Sequence, residues 1–218
     1  MYFSPGNSKM YLTYIPPILQ RWMPRYLWRV ATGAPEVYLT FDDGPMPGVT
    51  PWVLEQLDVW GAKASFFWVG QQVDRHPDLA REVLAAGHTV GNHTWQHLDA
   101  WKTSPGAYLA DIQQAQASIQ AHTGVEARLF RPPYGHLSRT QGAAILRTHE
   151  VVMMDVISGD FDTRMSGAVC HQRVMRHVRP GSIVLLHDSQ KAWERLRIAL
   201  PLILRELSGA GYAFRALS

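Results

Sequence analysis

Val37-Tyr38-Leu39-Thr40-Phe41, followed directly by Asp42-Asp43-Gly44-Pro45, is an apolar run that stops at two carboxylates and a turn. Its β-branched and aromatic side chains read as a buried strand. A helical pattern runs from Pro51 to Trp60, with Thr50-Pro51 placing a hydroxyl cap before a proline at the first helical position. A second strand-like run, Ala64 to Val69, comes next. Strand, helix, strand is the pattern of a parallel sheet built from crossovers.

The alternation continues to the end of the chain. Further strand-like runs are His88 to Gly91, Arg128 to Arg131, Val151 to Asp155, Ser182 to His187 and Tyr212 to Arg215. Helical patterns lie between them, near Asp78 to Ala86, Pro105 to His122, Arg139 to His149, Ala168 to Val178 and Trp193 to Leu207. Ser104-Pro105 repeats the cap-and-proline start. Seven runs in so short a chain predict an α/β fold whose parallel strands curve into a barrel or a strongly bent sheet.

The bulk composition narrows the function. The chain has 218 residues, 46% hydrophobic and 18% charged, enough for one large core in a single globular unit. The formal net charge is only +3, and no run of basic residues appears, so no nucleic-acid partner is expected. A single cysteine, Cys170, rules out an intramolecular disulfide framework and a cysteine-rich zinc site. Pro16, Pro17, Arg21, Pro24, Arg25 and Arg29 interrupt the apolar residues near the N-terminus, so no transmembrane segment is expected. The first six residues do not look like a secretory signal, and the default expectation is a soluble, cytoplasmic chain.

In parallel α/β folds the chemistry gathers at the C-terminal ends of the strands. Asp42 and Asp43 follow the first strand, His93 and His97 the third, Arg131 the fourth, Asp160 the fifth and His187 the sixth. An isolated Asp-Asp-Gly-Pro is ordinary turn composition. Two adjacent carboxylates with separate partners can instead divide their labour, one holding a metal and one taking a proton. His93 and His97 are spaced by four, which on one helical turn, capped by Asn92, puts both imidazoles on one face. Two imidazoles and a carboxylate form the ligand set of catalytic zinc, and non-haem iron uses the same set.

Arg131 sits at a strand end before the rigid Pro132-Pro133-Tyr134-Gly135 loop, where it can pair with a carboxylate and keep it ionised. Ile183 to His187 is an apolar strand delivering an imidazole to a cleft, and Asp160 can hold that imidazole protonated as a general acid. Taken one at a time, each of these groups is as readily a structural or solvated residue.

Together, Thr40 to Pro45, His93 to His97, Arg131 to Gly135, Asp155 to Phe161 and Leu185 to His187 resemble the ordered motifs of the polysaccharide deacetylase family. This is the NodB-homology family, also called carbohydrate esterase family 4, and the likeness runs from about Val37 to the C-terminus. It implies a deformed (β/α) barrel with about seven parallel strands, and hydrolysis of acetyl groups on N-acetylated oligo- or polysaccharides. By matching position it implies Asp42 as general base, Asp43, His93 and His97 as metal ligands, and Arg131 as the group orienting Asp42. It makes His187 the general acid, with Asp160 tuning it.

The same likeness implies that Tyr134 lends a backbone amide to the oxyanion, that Leu185 lines the acetyl pocket, and that Pro133 and Phe161 face substrate. The implied cofactor is one divalent ion, with Zn2+ expected. Met154 and Phe161 stand where the family commonly has Trp, and Ile157 where an Asp is frequent, so the fourth motif departs from the pattern. Two rivals to N-deacetylation are O-acetyl ester hydrolysis on a xylan-type substrate and an inactive polysaccharide-binding fold. Residues 1–36 match no motif and read as an N-terminal extension packing on a catalytic domain of residues 37–218. Ile15, Ile18, Leu19, Trp22 and Tyr26 suggest a helix broken at Pro24.

Overall fold

The structure is a computed structural model that describes residues 2–3 and 10–218. Two short strands, β1 (Tyr2–Phe3) and β2 (Met10–Tyr11), pair antiparallel at the start. The main sheet is parallel and contains β3 (Glu36–Asp42), β4 (Ser65–Trp68), β5 (Thr89–Asn92), β6 (Leu129–Phe130), β7 (Glu150–Val151), β8 (Val156–Ile157) and β9 (Ile183–His187). Their spatial order is β7-β6-β5-β4-β3-β9-β8, and β10 (Ala213–Phe214) pairs with the start of β3. These seven parallel strands curl into a half-barrel surrounded by helices.

Strand β3 is buried along almost its whole length, as expected for a strand covered on both faces. Side chains alternate between faces with a period of two. Val37, Leu39 and Phe41 therefore pack with Leu57, Leu196 and Leu200 in the layer between sheet and helices. Tyr38 lies on the other face, in the inner cluster with Phe67, Leu129, Ile183 and Leu185. Thr40 and Asp42 share the parity of Tyr38, and His187 shares that of Ile183 and Leu185. The same alternation that fills the barrel thus delivers two ionisable groups to its inner mouth.

The helices are α1 (Pro17–Gln20), α2 (Thr50–Val59), α3 (Gly70–Arg75), α4 (Pro77–Ala85), α5 (Pro105–Thr123), α6 (Arg139–Ile145), α7 (Gly167–His177) and α8 (Trp193–Gly209). Ser104 caps α5 by accepting from Ala107 N, as its sequence predicts. Thr50 does not cap α2. It lies inside the helix, and its hydroxyl accepts from Met46 N and donates to Asp188 Oδ2 at 2.6 Å. No helix among the described residues is long and apolar enough to cross a membrane.

Two further sequence expectations change. The run Val151 to Asp155 is not one strand: pairing with β6 stops at Val151, and a new strand, β8, starts at Val156 on the other edge of the sheet. Asp155 marks the switch, because its carboxylate accepts from Ile183 N at 2.9 Å and from Ser182 Oγ at 3.0 Å. The N-terminal helix is also shorter than expected. Only Pro17–Gln20 is helical, and Ile18 and Trp22 point outward, 68% and 80% exposed. Residues 1 and 4–9 of the expected extension lie outside the described residues.

The rest of the N-terminal segment fills the gap between the two sheet edges. Ile157 N donates to Thr13 O and Ile15 N to Asp155 O, both at 2.9 Å, on the β8 side. Leu27 N donates to Val151 O at 2.8 Å and Met153 N to Leu27 O at 2.7 Å on the β7 side. Residues 13–27 therefore strap the open side of the half-barrel, satisfying backbone groups that an uncovered edge would leave unpaired.

Candidate active site at the mouth of the half-barrel

Asp42 is the last residue of β3, and its carboxylate meets Arg131 at the barrel mouth. Arg131 Nη1 donates to Asp42 Oδ1 at 2.8 Å and to Thr40 Oγ1 at 2.7 Å, and Arg131 Nη2 donates to Met153 O at 3.0 Å. The guanidinium also lies over the Phe67 ring, 4.1 Å from its centroid. Arg131 is fully buried and Asp42 nearly so, which makes this a charge pair whose donors are largely used. Such a pair fixes the orientation of the carboxylate.

One residue on, the backbone turns. Asp43 has φ 81°, in the left-handed region, so its side chain departs from that of Asp42. Asp43 Oδ1 lies 3.2 Å from His97 Nε2 and 3.8 Å from His93 Nε2. Thr94, His97 and Tyr134 share the left-handed conformation. Four such non-glycine residues at one mouth form a concentration of strain of the kind that functional sites hold.

The two histidines do not sit on a helical turn, as their spacing suggested. They flank a loop after β5, and Asn92 organises it by accepting from Thr94 N at 2.8 Å rather than by capping a helix. Asp111 of α5, which the sequence did not single out, accepts from Trp95 N at 2.7 Å and Gln96 N at 3.1 Å and so pins the stretch between the imidazoles.

The protonation of this cluster suits a cation. His93 Nδ1 lies 2.7 Å from Arg131 O, and because a carbonyl only accepts, Nδ1 carries the hydrogen and Nε2 presents a lone pair. Burial pushes the His93 imidazole down to about 4, so it is neutral at ordinary pH. For Asp43, burial alone would raise the pKa, but His97, His187 and His93 hold it well below the usual carboxylate range. Asp43 Oδ1 is buried yet accepts no well-aligned hydrogen bond. One ligand atom from each of Asp43, His93 and His97 lies within 4.8 Å of the others, so the three donors are within joint reach of a single ion.

His187, at the end of β9, is held from two directions by Asp160. Its backbone N donates to Asp160 Oδ2 and its Nδ1 meets Asp160 Oδ1, both at 2.8 Å. Burial would push the imidazole down, but the Asp160 charge and hydrogen bond, with Asp43 and Asp42 behind them, raise it to about 9. A group with that pKa is protonated at neutral pH and can give a proton. Arg195 Nε fixes the Asp160 carbonyl at 2.7 Å.

Next to it, the buried Asp188 accepts from Gly44 N at 3.1 Å and locks the turn after Asp43. A Cβ at Gly44 would collide with the Asp188 carboxylate, which explains the glycine.

These groups open into one cavity of about 360 Å³. Asp42, Asp43, His93, His97 and His187 line it, together with Tyr134, Leu185 and Phe161. The Phe161 ring packs 5.3 Å from that of His187, and Tyr134 lies 4.8 Å from His97, centroid to centroid. Pro133 is buried, and Pro132 lines the cavity in its place. Sequence reasoning missed the N-terminal residues on the wall, Tyr11, Leu12, Ile15, Leu19, Met23, Tyr26 and Trp28, together with Met153 and Trp101. The only signal for them was apolar spacing in the first thirty residues, which was read as a packing helix.

Comparison with known proteins gives a consistent picture. The family model for polysaccharide deacetylases matches residues 29–152. A peptidoglycan-N-acetylglucosamine deacetylase of Bacillus cereus is 35% identical over 199 residues, covering 88% of this chain and 90% of that protein. A chitooligosaccharide deacetylase of Sinorhizobium fredii is 37% identical over 166 residues, covering 73% of this chain and 75% of that protein. Among solved structures, a peptidoglycan N-acetylglucosamine deacetylase in complex with 4-naphthalen-1-yl-N-oxidanyl-benzamide superposes with a TM-score of 0.85 at 27% identity. That match covers 93% of this chain and 95% of the other.

Proposed function

We propose that this chain, which belongs to the polysaccharide deacetylase family, is a hydrolase that removes acetyl groups from N-acetylated amino sugars. Chitooligosaccharide and peptidoglycan N-acetylglucosamine are the substrate types acted on by the relatives named above, and they are the proposed substrates here. Residues 37–218 carry the chemistry, and residues 1–36 are an extension of that unit. The observation that carries this reading is the meeting, in one cavity, of a three-donor cluster, a charge-paired carboxylate and a carboxylate-held imidazole.

Asp43, His93 and His97 would hold one divalent ion, with Zn2+ the expected choice for two imidazoles and a carboxylate. When bound, such an ion supplies Lewis acidity at the amide carbonyl and lowers the pKa of a water from about 15.7 toward 7. Asp42, oriented by Arg131, takes the proton of the attacking water. The Tyr134 backbone amide donates to the carbonyl oxygen as negative charge builds there. His187, protonated through Asp160, gives its proton to the departing amine from Nε2, since Nδ1 is engaged. Leu185 packs against the acyl methyl, and Phe161 forms the adjoining wall. Acetate and a free amino sugar are the products.

An amide needs a protonated leaving group more than an ester does, and a His187 with pKa about 9 meets that need. Acetate release from chitooligosaccharide and from acetylated xylan, measured side by side, tests the reading. Faster release from the chitooligosaccharide is expected, and release from xylan alone would replace N-deacetylation by esterase activity.

A further inference from the structure

The strap has two sides. Leu19 and Met23 line the cavity, whereas Ile18 and Trp22, four residues apart, point outward and are 68% and 80% exposed. Among the described residues no large hydrophobic side chain is more exposed than Trp22. Nearby Trp28 shows the contrast, because it is buried and its indole N–H donates to Met23 O at 3.1 Å. The turn that displays Trp22 is braced. Gln20 Nε2 donates to Ile15 O at 2.7 Å, Trp22 N to Leu19 O at 3.2 Å and Met23 N to Gln20 O at 3.0 Å.

The charge around these side chains has one sign. Residues 1–35 contain four Lys or Arg and no Asp or Glu. Arg21 and Arg25 flank Trp22 in the chain, both are exposed, and neither forms an ion pair with a described residue. The strap also lies against a second stretch without acids, residues 163–187, which carries four arginines and includes α7. Tyr14 stacks on His177 at 5.1 Å between ring centroids, and the Arg179 guanidinium lies 5.3 Å from the Tyr14 ring. In that stretch Arg164 pairs with Asp162 and Arg179 approaches Asp155 at 3.8 Å, while Arg176 is exposed. The two stretches hold eight of the 21 Lys and Arg, and the rest of the chain holds 13 together with all 18 Asp and Glu. The excess positive charge therefore belongs to the strap and its neighbour.

An exposed indole and isoleucine between unpaired arginines match one kind of partner best. At the surface of an anionic bilayer an indole seats at the headgroup level, aliphatic side chains enter the acyl boundary and guanidinium groups meet lipid phosphates. A second copy of the chain would set like charges against each other. A soluble polyanion would engage the arginines but leave Ile18 and Trp22 in water.

We propose that the outer side of the strap, centred on Trp22, docks the protein peripherally on an anionic lipid surface. Ile18 and Trp22 enter the interface, and Arg21 and Arg25 supply the electrostatic attraction. Leu19 and Met23 stay on the cavity side, so docking leaves the catalytic groups as they are. Two apolar side chains and two arginines make the binding weak and reversible.

The test is sedimentation of the full chain with large vesicles, one set of phosphatidylcholine alone and one with an equal share of phosphatidylglycerol, at low and high NaCl. Pelleting with the anionic vesicles that decreases with salt is expected. Arg21→Gln and Arg25→Gln should each weaken partitioning roughly fivefold. Trp22→Ser should weaken it about tenfold through lost apolar burial, with circular dichroism and Tm unchanged. No pelleting of the folded wild-type chain with either vesicle overturns the proposal. Equal pelleting with both vesicle types removes the arginines from it and overturns it as well. Undiminished binding of Trp22→Ser leaves a charge-only surface, as a soluble polyanion would use, and overturns the lipid assignment. A dimer in solution that Trp22→Ser dissociates gives this face to a second copy and also overturns it.

Discussion

Asp160 grips His187 twice, accepting from its backbone N with one oxygen and meeting its Nδ1 with the other, each at 2.8 Å. This arrangement aligns the imidazole and raises its pKa to about 9. As general acid, His187 must be protonated, so activity is lost as pH rises through its pKa. Asp160→Asn removes the charge that opposes the effect of burial, and the pKa of His187 falls. The alkaline limb of kcat/KM should then move to lower pH. A limb that stays in place in a folded Asp160→Asn protein removes His187 from the role of acid.

Asp42 is a base in this account and not a metal ligand. Asp42→Asn should therefore retain the divalent ion while losing activity by roughly 10²- to 10⁴-fold. Metal content per chain and turnover, measured on the same preparation, check both halves. Undiminished turnover would take Asp42 out of the mechanism.

Arg131 carries a stability prediction as well as a catalytic one. Its side chain is fully buried, and removing it leaves Asp42 as an uncompensated charge. Loss of one partner of a buried pair costs about 3–5 kcal/mol, so Arg131→Met should shift denaturant unfolding by an amount of that order. Arg131→Lys should recover little, because a lysine cannot serve Thr40, Asp42 and Met153 O with one planar fork.

Much of this site is legible in the sequence because strand-end motifs are local. Asp42, His187 and Arg131 could be placed once β3, β9 and β6 were recognised, and the parity of β3 and β9 sends two of them inward. What could not be read was long-range. The strap bonds to β7, β8 and the residues between them through isolated backbone contacts at Thr13, Ile15 and Leu27, which leave no periodic signature. The switch at Asp155 was hidden because Val151 to Asp155 is continuously apolar up to its last residue, whose carboxylate satisfies Ile183 N across the sheet. The i, i+4 histidines looked helical because spacing cannot reveal the left-handed residues Thr94 and His97.

Asp111 supports the ligand loop from behind. Asp111→Ala frees the amides of Trp95 and Gln96 and loosens His93 and His97. Loss of a supporting partner typically weakens metal binding about 10- to 100-fold. A Zn2+ titration of Asp111→Ala against wild type should show a weakening of that order, and equal affinities would mean that the loop is held by other contacts.

The central claim, a metal-dependent N-deacetylase with its ion on Asp43, His93 and His97, is tested most directly by acetate release from N-acetylated chitooligosaccharides. The assay is run on the wild-type chain, on the chain stripped by chelator, and on the stripped chain with Zn2+ restored. The account predicts release, its loss on stripping, and its recovery at about one Zn2+ per chain, with no recovery in His93→Ala. Undiminished release from the fully stripped chain would contradict it.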